Sequence, residues 1–107
     1  SIRAALDTIV QLKGRYADIG LTDRSQIFNT EVVQAIELGN MLDVAEAVAL
    51  SALHRRESRG AHTRTDYPTR NDAEFWKHSL VTFAADGPRL SYKPVTKTRW
   101  ELEERKY

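Results

Sequence analysis

Three arginines, one histidine and three acids crowd into the sixteen residues from Glu57 to Asp72, in the order Glu-Ser-Arg-Gly-Ala-His-Thr-Arg-Thr-Asp-Tyr-Pro-Thr-Arg-Asn-Asp. A guanidinium is a planar fork that binds carboxylates, phosphates and backbone carbonyls with defined geometry. Arg59, Arg64 and Arg70, preceded by Arg55 and Arg56, therefore call for partners. Two chemistries fit. The arginines form an anion site, or they make ion pairs and hydrogen bonds that fix an irregular loop against another domain.

Other side chains in and around this stretch have recognisable chemistry but weak spacing. His54, His62 and His78 lie eight and sixteen residues apart, which matches no common zinc pattern. His62 suits a buried hydrogen-bonding role at a domain interface, with acid–base work near neutral pH as the alternative. Ser58, His62 and Asp66 have the residue types of a hydrolase triad. Triads are recognised by geometry, however, and no nucleophile elbow surrounds Ser58. The glycines at 14, 20, 39, 60 and 87 make neither a GxGxxG turn nor a phosphate-binding loop. Phe83, Tyr92, Trp76 and Trp100 interleave with basic residues, as in a stacking platform for single-stranded nucleic acid. Glu101, Glu103 and Glu104 interrupt that basic run, so hairpin packing explains the aromatics better.

The elements that must position these groups follow from periodicity. Ile2, Ala5, Leu6, Ile9, Val10, Leu12 and Tyr16 recur at three- and four-residue steps, which predicts a helix from about Ser1 to Asp18, with Gly20 as its stop. Leu21 to Phe28 is a polar connector anchored by Ile27 and Phe28. Asn29 is a suitable N-cap, and Glu31 suits the positive end of the dipole of a second helix from Thr30 to about Arg56. Its apolar residues, from Val32 and Val33 to Ala52 and Leu53, occupy more than one face. Such a helix is packed from several sides. Gly39 interrupts it, and a tight crossing is one reason for a glycine there. Two helices cannot cover so wide an apolar surface. At least one more helix is expected upstream of Ser1, and without it the piece should expose apolar surface and self-associate.

Beyond the arginine-rich stretch, Asn71 to Trp76 predicts a short helical turn capped by Asn71 or Asp72. His78–Phe83 and Arg89–Val95 alternate around the turn signal Ala85-Asp86-Gly87-Pro88 and predict a β-hairpin. Its inner face carries Leu80, Thr82, Leu90 and Tyr92, or the opposite set. The charged tail from Thr96 to Tyr107 should be extended. The fold class is thus mainly α: a helical-bundle fragment of two long helices, an irregular arginine-rich segment, a short hairpin and a tail. The parts of this single domain run 1–57, 58–78 and 79–107.

Composition narrows the function classes. A chain of 107 residues is one domain or part of one. The net charge of +1 is unlike the basic excess of a general nucleic-acid binder. No apolar run approaches the ~20 residues of a membrane span, so direct membrane insertion is not expected. With no cysteine there is neither a disulfide nor a thiolate site. The opening Ser1-Ile2-Arg3 enters a helix directly, as in a piece of a longer protein.

The stretch Glu57–Asp72, continued by Phe75-Trp76-Lys77-His78-Ser79-Leu80, resembles the carboxy-terminal domain of the flavoprotein subunits of succinate dehydrogenase and fumarate reductase. The likeness extends through Phe28-Asn29-Thr30-Glu31, through Leu42, Ala45, Val48 and Ala49, and through Tyr92-Lys93-Pro94-Val95 to Glu104-Arg105-Lys106-Tyr107. L-Aspartate oxidase carries a similar Glu-Ser-Arg-Gly element, but the hairpin and tail fit the dehydrogenase branch better. The resemblance implies a parent subunit that binds FAD, interconverts succinate and fumarate, and passes electrons to an iron–sulfur subunit. That parent would sit on the cytoplasmic, inner face of the membrane through partner subunits. It also implies a bundle with a further preceding helix. Substrate, flavin and catalytic residues of the family belong to upstream domains, so none is carried onto these positions, and the fragment alone should hold no FAD, bind no dicarboxylate and catalyse nothing. The expected role of Glu57, Ser58, Arg59, His62, Arg64, Asp66, Arg70, Trp76 and His78 is docking on the FAD-binding domain of the same chain. The alternative is an interaction module for the iron–sulfur subunit or a flavinylation factor.

Overall fold

The fold is taken from a computed structural model and is described for residues 1–103. The expected tail residues Glu104-Arg105-Lys106-Tyr107 lie outside the described residues. Helix α1 spans Ile2–Tyr16 and helix α2 spans Thr30–His54. A single turn, α3, covers Asp72–Phe75, and strands β1 (Lys77–Thr82) and β2 (Arg89–Pro94) form an antiparallel hairpin. The molecule is elongated, 57 × 32 × 31 Å, because α2 alone extends for about 37 Å at 1.5 Å per residue.

Caps set the helix ends. Ser1 Oγ accepts from the Ala4 amide at 3.3 Å, and Asn29 Oδ1 accepts from the Val32 amide at 3.1 Å. Both satisfy donors that the first helical turn leaves free. Helix α2 ends at His54, two residues short of the sequence expectation, because Arg55 turns to an extended conformation with ψ of 95°.

The helices lie side by side. In α1 the half-buried or buried positions are Ile2, Leu6, Ile9, Lys13 and Tyr16, a stripe at steps of three and four. Val10 and Leu12 face outward instead, at 51% and 39% exposure. In α2 the matching stripe is Val32, Ala35, Gly39, Leu42, Glu46 and Ala49. A polar lock lies inside this seam. Lys13 Nζ is 2.6 Å from Glu46 Oε2 and 2.7 Å from Asp43 Oδ1. Asp43 first, then Glu46, hold the Lys13 ammonium above its ordinary range. At Gly39 the Tyr16 side chain of α1 lies directly on α2: a Cβ there would meet Tyr16 Oη at 2.7 Å and Cζ at 2.8 Å. The space that this glycine leaves is taken by a side chain of the neighbouring helix.

The opposite side of α2 is bare. Val33, Ile36, Met41, Val44 and Val48 are 54–67% exposed. At 100° per residue they lie about half a turn from the α1 seam. The helix therefore carries two apolar faces, of which α1 covers one, as the distribution of its apolar residues predicts.

Two expectations are corrected. Ile27 and Phe28 do not anchor the connector: they are 75% and 96% exposed. The inner face of the hairpin is neither Leu80 and Thr82 with Leu90 and Tyr92 nor the reverse. The register pairs Val81 with Leu90 and Ser79 with Tyr92, while Leu80 faces Ser91 and Thr82 faces Arg89. Side chains directly opposite one another share a face, so Ser79, Val81, Leu90 and Tyr92 lie together. Ser79, Val81 and Leu90 are half-buried, whereas Leu80 is exposed. The register comes from the six-residue loop Phe83–Pro88, which places partners at odd-sum positions; periodicity within each strand contains no such information.

Candidate functional site

The arginine-rich stretch folds around a single carboxylate. Glu57 has 0% exposure and sits just beyond the end of α2. Its Oε1 accepts from Arg55 Nη1 at 2.6 Å and Arg59 Nε at 2.8 Å. Its Oε2 accepts from Arg59 Nη2 at 3.1 Å and from the Asn71 amide at 2.8 Å. Every lone-pair direction of the carboxylate is used. Burial is the largest single influence on this group and favours the neutral acid. The donors from Arg59, the Asn71 amide and Arg55 together outweigh it, and hold the carboxyl below its ordinary range.

Each arginine around Glu57 also ties down another part of the chain. Arg55 donates to the Phe75 carbonyl at 2.9 Å, the Lys77 carbonyl at 2.5 Å and Ser79 Oγ at 3.3 Å. It thereby pins the start of the hairpin to the end of α2. Arg59 pairs with Asp72 at the start of α3, and Arg70 Nη2 reaches the other Asp72 oxygen at 2.9 Å. Arg70 Nη1 donates to the Glu103 carbonyl at 3.1 Å. Glu57 first, and Asp72 less strongly, raise the Arg59 guanidinium further above its already high range.

Arg64 makes a second centre, at 8% exposure. Its Nε and Nη2 clasp Asp66 at 2.8 and 2.5 Å, and Nη1 donates to the Ala52 and Leu53 carbonyls at 3.1 and 2.7 Å. Those are last-turn carbonyls of α2, where a cation also complements the helix dipole. The Tyr67 ring lies 4.9 Å from the guanidinium carbon. Hydrogen bonding to Arg64 holds the Asp66 carboxyl below its ordinary range.

Ser58 Oγ accepts from the Arg64 amide at 2.9 Å and donates to the Tyr67 carbonyl at 2.8 Å. His62 Nε2 donates to the Arg55 carbonyl at 3.0 Å. Gly60 takes φ +58° at the tip of a two-residue turn closed by Arg59 and His62, whose backbone bonds are 2.8 and 3.0 Å. Glycine suits such a turn because it lacks the Cβ that disfavours positive φ. Ser58, His62 and Asp66 thus have separate partners and form no relay.

Of the residues singled out from sequence, the fold gathers Glu57, Ser58, Arg59, His62, Arg64, Asp66 and Arg70 into one network. Trp76 and His78, half-buried and exposed respectively, make none of its bonds and line a groove that Arg55, Arg59 and His62 of the network also reach. That groove, of about 880 Å³, runs between the bare face of α2 (Val44, Val48) and the hairpin (Val81), and Val95 and Leu102 from the tail reach it. Sequence reasoning missed Arg55, Asn71 and Asp72 as members. In the sequence Arg55 is one of a row of arginines. Its position at the C-cap, where the last carbonyls of a helix lack partners, was the available signal. Asn71 contributes a backbone amide, which no residue type reveals.

The comparisons with known proteins agree with one another. The family described as "Fumarate reductase flavoprotein C-term" matches residues 1–107. The fumarate reductase flavoprotein subunit of Haemophilus influenzae is 45% identical over 108 residues, and that of Mycobacterium tuberculosis 48%. Each alignment covers 100% of this chain and 18% of the relative. The succinate dehydrogenase flavoprotein subunit of Rickettsia conorii is 47% identical over 91 residues, 84% of this chain and 15% of that protein. Among solved structures, a variant of E. coli quinol fumarate reductase FrdA superimposes with a TM-score of 0.89 at 40% identity, over 94% of this chain and 18% of that one. The chain therefore spans less than a fifth of the length of these relatives.

Proposed function

This chain belongs to the fumarate reductase flavoprotein C-terminal family, and from that premise we propose that it serves as the structural buttress of a subunit that interconverts succinate and fumarate. In this reading the FAD, the dicarboxylate site and the hydride chemistry belong to the rest of the polypeptide. Electrons leave the flavin for an iron–sulfur subunit on the cytoplasmic face of the membrane. The domain's own part is mechanical: it presents a rigid, pre-shaped surface to the FAD-binding domain.

The observation that carries the reading is the inward pairing of the guanidinium groups. Arg55, Arg59, Arg64 and Arg70 are committed to Glu57, Asp66, Asp72 and backbone carbonyls. A site for a flavin pyrophosphate or a dicarboxylate needs donors that are free to meet the ligand. Here most of the donors go to making a corner rigid, which suits a support better than a ligand pocket. The sequence offered docking of Arg59, His62 and Arg64 themselves. Their inward bonds now favour docking through the outer rim of the same segment, Thr65 to Thr69, which is exposed. The bare face of α2 accepts the further helix expected upstream.

The test is made in the intact subunit. Arg59→Ala should lower the flavin bound per polypeptide and the temperature of unfolding together. Unchanged flavin content and unchanged stability would sink the buttress.

A further inference from the structure

The connector between α1 and α2 is unusual in what it exposes. Ile19, Leu21, Ile27 and Phe28 are 45%, 38%, 75% and 96% exposed. Phe28 also has φ +54° and stands alone among the described non-glycine residues in this region. A bulky side chain rarely adopts that conformation unless its surroundings impose it.

Hydrogen bonds on both sides of Phe28 fix the loop that holds it. The Glu31 carboxylate accepts from the Thr22 amide at 3.1 Å, from Thr22 Oγ1 at 3.1 Å and from the Asp23 amide at 2.5 Å. Asn29 caps α2 with its oxygen, and its Nδ2 donates to the carbonyls of Asp23 and Ser25 at 2.9 and 3.0 Å. Asp23 Oδ1 accepts from the Ser25 amide at 2.8 Å. The loop is therefore held by the first turn of the helix it precedes. What that rigid frame holds out to water is two large apolar side chains. A flexible linker needs no such frame, whereas a docking element gains from being pre-shaped.

We propose that Ile27 and Phe28 form an apolar plug that seats in a pocket of the same flavoprotein polypeptide, in the part outside these 107 residues. The inference rests on the reading that the chain is one part of a longer subunit, and it adds a second contact point. The plug is at the end of α2 remote from the Glu57 network, so the two contacts are separated by the 25 residues of that helix. Two observations favour the same polypeptide as the occupant. The relatives have more than four-fifths of their length outside the matched region, so ample chain is available. The plug is also apolar without a dominant charge, with Asp23, Arg24 and Glu31 around it; permanent interfaces are of this kind, while partners that come and go meet through more polar surfaces.

Gln26 is exposed beside the plug, and the 107 residues contain no cysteine. Gln26→Cys in the intact subunit therefore gives a reporter whose maleimide labelling is read on its own peptide by mass spectrometry. Labelling of the folded subunit should be at least ~10-fold slower than in urea, because a seated loop must open before it reacts. Adding Phe28→Ser should restore fast labelling, and Phe28→Leu should leave the protection in place. The proposal is overturned by labelling at the unfolded rate in the folded subunit. It is equally overturned by protection that ignores Phe28→Ser, or that appears only when the iron–sulfur subunit is added. Failure of the buttress is read separately: flavin content indifferent to Arg59→Ala, with Gln26→Cys still protected, would remove that reading and leave this one standing.

Discussion

Glu57→Gln is the substitution on which the structural argument is most exposed. The shape is kept and the charge is lost. Four donors now converge on Oε1 and Oε2 from Arg55, Arg59 and the Asn71 amide. A glutamine amide offers one oxygen and turns an NH2 toward the donors of the other side. At least two hydrogen bonds to a charged acceptor disappear, each worth about 1.5–3 kcal/mol. Breaking a buried ion pair from one side costs about 3–5 kcal/mol. The guanidiniums of Arg55 and Arg59 keep 15% and 25% side-chain exposure and partly rehydrate, so the low end, about 3 kcal/mol, is expected. For a domain of this size that is a fall of roughly 10–20 °C in Tm. Urea unfolding followed by the fluorescence of Trp76 and Trp100 measures it. The acid limb supplies an independent sign. A carboxyl held low in the folded state contributes stability that is present above its unfolded value, here 4.5, and lost as pH falls through its folded value. Glu57→Gln should therefore cost most near neutral pH and progressively less below about 4.5. A cost under about 0.5 kcal/mol at pH 7, or one independent of pH, would refute the account of Glu57 as the centre of the knot.

Three further outcomes follow from the same geometry. Gly39→Ala should destabilise or be neutral in the native sequence, because the new Cβ displaces the Tyr16 ring; in a Tyr16→Ala background the same change should gain about 1 kcal/mol of helix propensity, and equal effects in both backgrounds would rule out the close crossing. Arg64→Lys keeps the charge but loses the two-point clasp on Asp66 and one of the α2 carbonyls, so exchange of the bonded amides of Arg55 and Ser58, just past the helix end, should accelerate while that at Leu42 does not. Asp23, Glu31 and Asp66, all held low by hydrogen bonds, should add to acid unfolding below about pH 4; Glu31→Gln should remove part of that loss by loosening the Thr22–Asp23 turn, and an unchanged acid midpoint would contradict it.

Much of this was legible in the residues. Asn29 named its helix start because an Asx side chain there satisfies an otherwise free amide, and the structure has that bond. Gly39 marked a crossing because glycine in a helix interior is costly unless a neighbour needs the space. The double apolar surface of α2 could be read because burial demand is written in side-chain type. What was not legible depended on backbone partners or on register. Glu57 accepts from an amide fourteen residues away, and any residue type at position 71 could supply that amide except proline. The hairpin face depended on loop length, which shifts every pair at once. Ile27 and Phe28 read as anchors because apolar residues usually are buried. That rule runs one way only, and in a piece of a larger protein it identifies surfaces awaiting a partner as readily as a core.

That asymmetry explains how polar and apolar groups divide the work. Among the described residues every buried side-chain nitrogen and oxygen has a hydrogen-bond partner. The apolar groups are far less satisfied: only Leu6, Leu42, Ala49 and Phe75 are buried, while Val33, Val44, Val48 and Phe28 are exposed. A buried charge without its partner costs several kcal/mol wherever it sits, so ion pairs must close locally if the corner is to keep its shape before docking. Apolar surface is non-directional and loses only about 25 cal/mol per Å² by remaining wet. It can wait for a partner. Polar closure fixes the geometry at the end of α2, and open apolar surface on α2 and at Phe28 supplies the attraction. Mutations in the two sets should differ accordingly: Glu57→Gln lowers the stability of the domain itself, whereas Val44→Ser should leave it nearly unchanged and weaken only its hold on the rest of the subunit. Equal losses from both, in the 107-residue chain alone, would show that α2 already buries in this domain the face that the structure leaves bare.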